Sequence, residues 1–561
     1  MKEDLEDKYG FLSYYRLMYG PWQAFERAVA RMLAHSGWDS YDVVGGSGDM
    51  GADIIGSFKA NEKIFQVKFS EQTTPLSVDI IGDVKRAIEF YGIEAGVCVS
   101  NKKLGPQQKK KLEVLTSQGY DIISVTGKQL LDLYENLPVW FEDSRKPRNY
   151  QLDAIEKLIG AFKNDEKTAL ISLATGLGKT YVAGRFLRYI YQNHPNYRVL
   201  ILADKKELIR QFDKSIWTFL PKTISTHLVY DSEKPGFTKG VILSTFQSFL
   251  TFHRENAELE YDVVIVDEAH HAPAETYKNV IGEINPRFLI GLTATPFRSD
   301  ERSVTEMFGK PLIQFGVLRA MASGYLSDVE YRLKNDNLDS DWISKSSLKG
   351  YTIKQLNKKV FIPERDEAIV NQTMEYWNQK KPTRGIIFCN SSLHAEKVEK
   401  LMRSSFNFPI KSLTNRIKDT KERAKRLREF RTGKIKMLTC FDMLNEGIDV
   451  PDVDFLVYLR VTHSRVIFLQ QLGRGLRFKP GKTLFVLDYV ADLRRLDDVI
   501  KFNSDLQLTR DPVIKKDDVE EIRLPNTFDL TFNDATVSEF INLVERDKLE
   551  LGELELDDII E

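Results

Sequence analysis

The sequence predicts an α/β protein in which a small mixed unit precedes two tandem parallel-sheet domains and a short helical acidic tail. Two observations carry the tandem sheets. The runs TALISL, RVLILA, GVILS, DVVIVD and FLIGLT form a first set, and GIIFC, KMLTC, DFLVYL and TLFVLDY a second. None alternates with period two, which is the pattern expected of strands covered on both faces. Helical segments such as QLDAIEKLIGAF separate them. A third observation marks the front unit. There PWQAFERAVARMLAHSG places Trp22, Phe25, Val29 and Leu33 at helical spacing and predicts an amphipathic helix with these four on its apolar face.

Two strand-like runs follow that helix, DIIGSF and KIFQVKF, joined by the turn-like KANEK. A helix over Val78–Tyr91 and the apolar run GVCVS complete the unit. The polar, proline-punctuated EDSRKPRN reads as a linker. The expected divisions are 1–140, 141–325, 326–495 and 496–561. In the last, Val537, Phe540, Ile541, Leu543 and Val544 suit one helical face, for packing on the preceding domain or for docking a partner subunit.

With 561 residues, 42% hydrophobic and 29% charged, the chain has the profile of several soluble folded domains. Its 80 basic and 81 acidic side chains nearly cancel, but unevenly: Lys397–Lys436 is basic and Asp511–Glu561 acidic. No apolar run is long enough to cross a bilayer, and MKEDLEDKYG lacks the apolar core of an export signal. Cys98, Cys389 and Cys440 are far apart and show no metal or disulfide spacing. A reducing cytoplasm, without membrane contact, is the expected setting.

The strand TALISL runs into ATGLGKT and then into helical YVAGRFLRYIY. In such a loop Thr175, Gly176 and Gly178 let backbone N–H groups wrap phosphate oxygens at a helix N-terminus. Lys179 supplies a charge for the β- and γ-phosphates of ATP and Thr180 a hydroxyl for Mg²⁺. Leu173 stands where the stricter phosphate-loop pattern has its first glycine. About ninety residues on, DVVIVDEAHHA ends a buried strand in Asp267 and Glu268, one carboxylate for the cation and one to orient attacking water. GLTATP, GIIFCNS, TCFDMLNEGIDVP and QQLGRGLR follow in order. In the last, Arg474 and Arg477 are expected one helical turn apart, able to reach a γ-phosphate as arginine fingers.

With these motifs in this order, residues from about 145 to 490 resemble helicase superfamily 2, in the DEAH-containing branch that includes restriction motor subunits. The resemblance implies two RecA-like domains with ATP between them and a nucleic-acid strand across both. It also implies that Gln151 in RNYQLDAI reads adenine, that STFQSF (Ser244–Phe249) contacts the strand, and that Asp449 approaches the nucleotide.

In the front unit Glu26 lies on the leading helix, Asp53 begins one strand, and Gln66 and Lys68 share a face of the next. An acid, a second oxygen ligand and a lysine at a hairpin suit metal-assisted phosphodiester hydrolysis, with Asp53 and Gln66 on Mg²⁺. The string FERAVARMLAHSGWDSYDVVGGSGDMGADIIGSF…IFQVKFS is similar to the Mrr-like branch of the PD-(D/E)xK nucleases, marked by G-x-D, Q-x-K and a leading-helix glutamate. This implies a restriction-endonuclease-like fold in which Gln66 replaces an acid. Asp49 reads as a turn residue, and Lys102, Lys103, Lys109, Lys110 and Lys111 stand ready to neutralise phosphates.

Together the resemblances imply an ATP-dependent DNA translocase with its own Mg²⁺-dependent endonuclease, in restriction or anti-phage defence. A repair helicase-nuclease, or an ATP-gated DNA sensor with an inactive nuclease-like domain, are the alternatives. The sequence contains no [ND]-P-P-[FY] motif, so target choice is expected from a partner subunit, DNA ends or an unusual DNA structure.

Overall fold

The computed structural model describes residues 10–44, 51–71, 74–141, 145–230, 235, 237–269, 275–294, 301–334, 366–441, 453–459, 471–489 and 528–531. The chain divides into two compact units, Met1–Leu173 with Gly178–Gln314, and Ala174–Leu177 with Phe315–Glu561. Asp49 and Asp449 lie outside the described residues, as does the acidic segment from residue 532 on with its expected helix. No helix among the described residues is long and apolar enough to cross a membrane. The three cysteines are buried and none is in a disulfide.

The front of the first unit contains α1 (Tyr14–Tyr19), α2 (Trp22–His35), β1 (Ser40–Val43), β2 (Ile54–Phe58), β3 (Asn61–Lys68), α3 (Ile80–Tyr91), β4 (Ala95–Ser100), α4 (Pro106–Ser117), β5 (Asp121–Thr126) and α5 (Gly127–Asn136). Its five-stranded sheet has the order β1-β2-β3-β4-β5. The β1–β2 and β2–β3 pairs are antiparallel; β3–β4 and β4–β5 are parallel. Lys59 and Ala60, both at positive φ, make the two-residue turn between β2 and β3.

Alternation along β3 separates two cores. Phe65 and Val67 face α2, packing with Phe25 and Val29, while Ile64 faces α3 with Ile80, Ile81 and Val84. Phe25, Val29 and Leu33 are buried as their spacing predicts, but Trp22 is 55% exposed. It begins α2 directly after Pro21, before the helix has turned its apolar stripe onto the sheet.

The same unit continues with α6 (Asn149–Lys163), β6 (Thr168–Leu173), α7 (Lys179–Asn193), β7 (Val199–Ala203), α8 (Lys206–Ile216), a 3₁₀ turn (Trp217–Phe219), β8 (Thr226–Val229), β9 (Val241–Thr245), α9 (Phe246–Glu255), β10 (Val263–Val266), α10 (Glu275–Ile284), β11 (Phe288–Thr293), α11 (Glu301–Phe308) and β12 (Pro311–Phe315). The sheet order is β12-β6-β11-β10-β7-β9-β8, with the six strands from β6 to β8 parallel. Strands β7, β9, β10 and β11 are buried throughout, as the unalternating apolar runs require.

The front sheet and this one are packed together, not merely strung on a linker. Trp217 belongs to the same apolar core as Phe11, Phe25 and Val29, and stacks on Tyr41 at 5.9 Å. Arg31, 1% exposed, donates to the carbonyls of Ile224 (2.8 Å) and Pro221 (3.0 Å). His35 Nε2 lies 3.1 Å from the Trp217 carbonyl. Arg27 faces Asp213 at 3.7 Å and Lys214 pairs with Asp42 at 3.0 Å.

The second unit contains α12 (Val317–Ala322), β13 (Asp328–Lys334), α13 (Asp366–Lys380), β14 (Gly385–Phe388), α14 (Ser392–Ser405), β15 (Ile410–Leu413), α15 (Thr420–Arg431), β16 (Met437–Cys440), β17 (Phe455–Tyr458), β18 (Thr483–Tyr489) and β19 (Phe528–Thr531). Its sheet runs β15-β16-β14-β17-β18-β13-β19, all parallel. The sequence marks TLFVLDY as the last strand; the structure adds β19, which pairs with β13 at the sheet edge.

The packed junction generates a prediction about pH. Burial, and next the Arg31 charge, lower the His35 pKa from 6.5 to about 3. His227 is lowered to about 3 by burial and then Arg16. The fold holds both rings neutral, so their contribution is complete above pH 6.5 and is lost as pH falls toward 3. Each adds up to about 1.4 kcal/mol per pH unit to the acid slope of stability in that window. Urea unfolding at pH 7, 6 and 5 is expected to show this loss, and His35→Leu to flatten the slope by one proton's worth.

Candidate active sites

The loop after β6 is shaped for close approach. Gly176 and Gly178 have φ of 83° and 86°, and α7 begins at Lys179. At its positive φ Gly178 would be strained as any other residue, and a Cβ there would stand 2.6 Å from Gln151 Nε2. Gln151 is buried near the start of α6, its Oε1 accepting from Arg148 N at 2.9 Å. The structure thus brings Gln151 against the phosphate-type loop, 27 residues ahead of Gly178 in sequence.

Lys179 Nζ lies 2.8 Å from Glu268 Oε1, both side chains more than four-fifths buried. Glu268 follows β10 and has φ of 47°, a left-handed backbone costly for a non-glycine residue. Asp267, directly at the strand end, is 8% exposed, and its Oδ1 accepts no hydrogen bond. Burial, then the Glu268 charge, pushes its carboxyl above the usual range. A buried carboxylate oxygen without a donor, on the strand whose next residue binds Lys179, fits Mg²⁺. Thr180, half-buried on the first turn of α7, is the expected second oxygen donor.

A polar cavity of about 600 Å³ opens at the carboxyl ends of adjacent β7 and β9. Asp204, Lys205, Lys206 and Glu207 line it from one side, and Thr245, Gln247, Ser248 and Thr251 from the other. The motif STFQSF is thereby divided: Ser244, Phe246 and Phe249 are buried, while its other polar members face the groove.

In the second unit residues 471–475 are helical and carry Arg474. Arg477 is not one turn further along that helix. It sits in an isolated antiparallel bridge with Leu326, where Ser327 N donates to the Leu476 carbonyl at 2.9 Å and draws the backbone out straight. Within this unit Thr175 Cβ stands 3.0 Å from where a Cβ on Gly473 would be.

In the front domain Asp53 precedes β2, and its Oδ2 accepts from Gln66 Nε2 (2.5 Å) and Val67 N (2.6 Å). Gln66 is wholly buried, and its Oε1 has no hydrogen-bond partner. This orphaned oxygen beside a carboxylate fits a hard cation, with glutamine in place of an acid. Lys68, two residues on, faces Asp83 of α3 at 3.6 Å. Asp83 escaped the sequence reading; the signal was an acid in the first turn of the helix after Q-x-K. Gly51, at φ 91°, lies so close that a Cβ would be 2.2 Å from the Asp83 carbonyl, which ties the Asp53 loop to α3. Glu26 is buried on α2, the helix on the other face of the sheet. Lys102, Lys103, Lys109 and Lys110 are exposed or half-exposed after β4 and on α4, whereas Lys111 pairs with Asp79 at 2.7 Å.

Comparison with known proteins agrees domain by domain. Residues 19–134 match the restriction endonuclease family model Mrr_cat. Residues 144–298 match that of the type III restriction enzyme res subunit, and 365–479 the helicase conserved C-terminal domain. The type I restriction enzyme EcoAI endonuclease subunit of Escherichia coli is 25% identical over 399 residues, 63% of this chain and 48% of that one. The DNA 3'-5' translocase XPB2 of Sulfurisphaera tokodaii is 25% identical over 383 residues, 62% of this chain and 82% of that one. The chain thus spans about half the length of the restriction subunit it matches. The ATP-dependent type ISP restriction-modification enzyme LlaBIII, solved bound to DNA, shares the fold with a TM-score of 0.51 at 15% identity, covering 94% of this chain and 42% of that one. The chain therefore joins a restriction endonuclease domain of the Mrr_cat type, a domain of the type III restriction enzyme res subunit family and a helicase conserved C-terminal domain, in that order.

Proposed function

We propose that this chain is an ATP-driven DNA translocase that cuts DNA with its own Mg²⁺-dependent nuclease, in restriction or related anti-phage defence. The observation that carries the reading is the Lys179–Glu268 pair beside Asp267, in the same compact unit as the Asp53–Gln66–Lys68 group. We assign 1–140 to the nuclease, 141–325 and 326–495 to the two RecA-like lobes, and 496–561 to an acidic extension.

The motor chemistry follows from the residues. A γ-phosphate competes with Glu268 for the Lys179 ammonium. As the ammonium turns to the phosphate, Glu268 is released to orient the attacking water. Gln151 holds adenine, Thr175, Gly176 and Gly178 present backbone N–H groups, and Thr180 and Asp267 hold Mg²⁺. The cation supplies neutralisation of phosphate charge. Arg474, Arg477 and Asp449 are assigned nucleotide-directed roles. The groove formed by β7, β9 and α9 takes the tracked DNA strand, whose phosphates meet Lys205 and Lys206.

In the nuclease, Asp53 and Gln66 Oε1 hold Mg²⁺, which supplies Lewis-acid polarisation of the phosphate. Two N–H donors keep the Asp53 carboxylate oriented, and the Gln66 oxygen has no competing donor. Lys68 stabilises charge gained by the phosphate, and Glu26, on the helix at the opposite face of the sheet, is assigned no step. A partner subunit is assigned target recognition, as the relatives' subunit names are consistent with.

Lys179→Ala is expected to abolish DNA-stimulated ATP hydrolysis. Arg474→Ala should retain nucleotide binding but lose turnover by about 10³-fold. Colorimetric phosphate release beside fluorescent-nucleotide titration measures both, and normal turnover in Arg474→Ala removes the finger assignment.

Asp53→Ala and Lys68→Ala are each expected to stop plasmid cleavage in Mg²⁺ with ATPase near normal. If cleavage persists in both, the cutting site lies elsewhere. Cleavage of long duplex that needs no ATP would separate the nuclease from the motor.

A further inference from the structure

Three aromatic side chains, on α1 and at the start of α2, stand largely in solvent. Tyr14, Tyr19 and Trp22 are 60%, 65% and 55% exposed. Tyr19 packs on Tyr15 at 4.8 Å, and Tyr19 and Trp22 flank the Gly20–Pro21 turn as two exposed rings that the core does not use. Their place is fixed by the strand that carries Lys68. Gly20, between Tyr19 and Trp22, packs on Phe69, whose ring is 3.1 Å from where a Gly20 Cβ would stand. Phe69 directly follows Lys68, and its ring packs at 6.0 Å against Phe25, the neighbour of Glu26.

Asn101 fastens the same corner. Its Nδ2 donates to the carbonyls of Leu17 (2.8 Å) and Ser70 (2.9 Å), and its Oδ1 accepts from Ser70 N (2.9 Å). The chain then enters Lys102, whose Nζ is 4.0 Å from Met18 Sδ, and exposed Lys103. The segment of Tyr19 and Trp22, through Gly20 on Phe69, and that of Lys102 and Lys103, through Asn101 on Ser70, are thus both fastened to the residues that follow β3.

We propose that this patch binds unpaired bases of the DNA strand to be cut, so that the nuclease takes melted, forked or single-stranded DNA as its substrate. The rings stack bases and the ammonium groups meet the adjoining phosphates. Each nucleotide of an open strand presents both chemistries; a duplex hides its base faces, and an apolar peptide has no use for the lysines. The proposal rests on the reading of Asp53, Gln66 and Lys68 as a DNA-cutting group.

The test uses the full chain in a Lys68→Ala background, with fluorescein-labelled oligonucleotides and anisotropy. One single strand carries its bases, a second of equal length is abasic at its centre, and a third is duplex. The background protein should favour the base-bearing strand over the abasic one by about tenfold. Trp22→Ala with Tyr19→Ala should reduce that preference below about twofold, with an unchanged thermal midpoint, and Trp22→Phe should keep most of it. Lys102→Gln with Lys103→Gln should weaken both single strands alike and lower the salt slope by about 1.4. In cleavage by the Lys68 protein, a fork should be cut about tenfold faster than matched duplex, and the double aromatic variant should lose that preference. Equal binding of based and abasic strands, an unaltered preference in the aromatic variant, or concentration-dependent self-association that the variant abolishes would each overturn the patch. No cutting of any substrate, with the base preference intact, would remove the nuclease reading and leave the patch standing.

Discussion

Strands β7, β9, β10 and β11 are buried along their whole length, so polar groups can appear only where these strands end. That constraint decides where the polar groups of this lobe sit. The phosphate-type loop leaves β6, Asp267 and Glu268 leave β10, and the groove residues leave β7 and β9. Because these strands are parallel, all those ends lie along one edge of the sheet, and residues about ninety positions apart become neighbours. The Lys179–Glu268 contact is a consequence of strand direction before it is a consequence of side-chain chemistry. The left-handed backbone at Glu268 completes it, since the chain must turn sharply to return the carboxylate toward α7.

The front domain is joined to this lobe by a different physics. Trp217 leaves the end of α8 and enters the nuclease core, so removing it would open both domains at once. Arg31 is fully enclosed there. Burial lowers its pKa to about 10, with Asp213 the largest opposing influence, and it remains a cation at neutral pH. Two carbonyls and the Phe11 ring at 4.4 Å replace the water it has lost. Helix α8 begins at the polar groove with Lys206 and ends at this junction, a distance of about 16 Å at 1.5 Å per residue. The polar groove and the front-domain core are therefore separated by one packed helix.

Much of this was legible in the residues because the signals are local. Unalternating apolar runs can be covered only on both faces, and Gly176, Gly178 and Lys179 carry their meaning in a single loop. Gln66 and Lys68 were placed on one face by period-two geometry alone. What was not legible depends on neighbours distant in sequence. Trp22 fits the helical stripe of Phe25, Val29 and Leu33, and only the sheet's position shows that its turn of helix lies beyond the core. Arg474 and Arg477 have helical spacing, but the pairing of Leu326 and Ser327 ends the helix between them. Strand β19 is recognisable only once β13 offers an open edge. Asp83 could not be tied to Lys68 without the fold of α3 against β3.

Gln66 illustrates how a neutral residue can serve where an acid is expected. Two carboxylates this close, both buried, would repel each other and raise their proton affinity, and a cation would have to overcome that before binding. An amide avoids the repulsion and reverses one contact: its N–H donates to Asp53 Oδ2 instead of opposing it. The amide plane then fixes where the carbonyl oxygen must point, and that oxygen is left buried without a donor. With one negative charge fewer, a cation of the kind proposed would be held less tightly. The group is nonetheless ordered without one, and Lys68 remains two residues along the same strand face. The Lys68–Asp83 contact at 3.6 Å then supplies a negative charge beside the lysine, outside the Asp53–Gln66 pair. A site with fewer charges in its centre and an acid at its margin depends more on fixed geometry than on electrostatic pull. The buried placement of Asp53 and Gln66, tied to α3 through Gly51, provides that geometry.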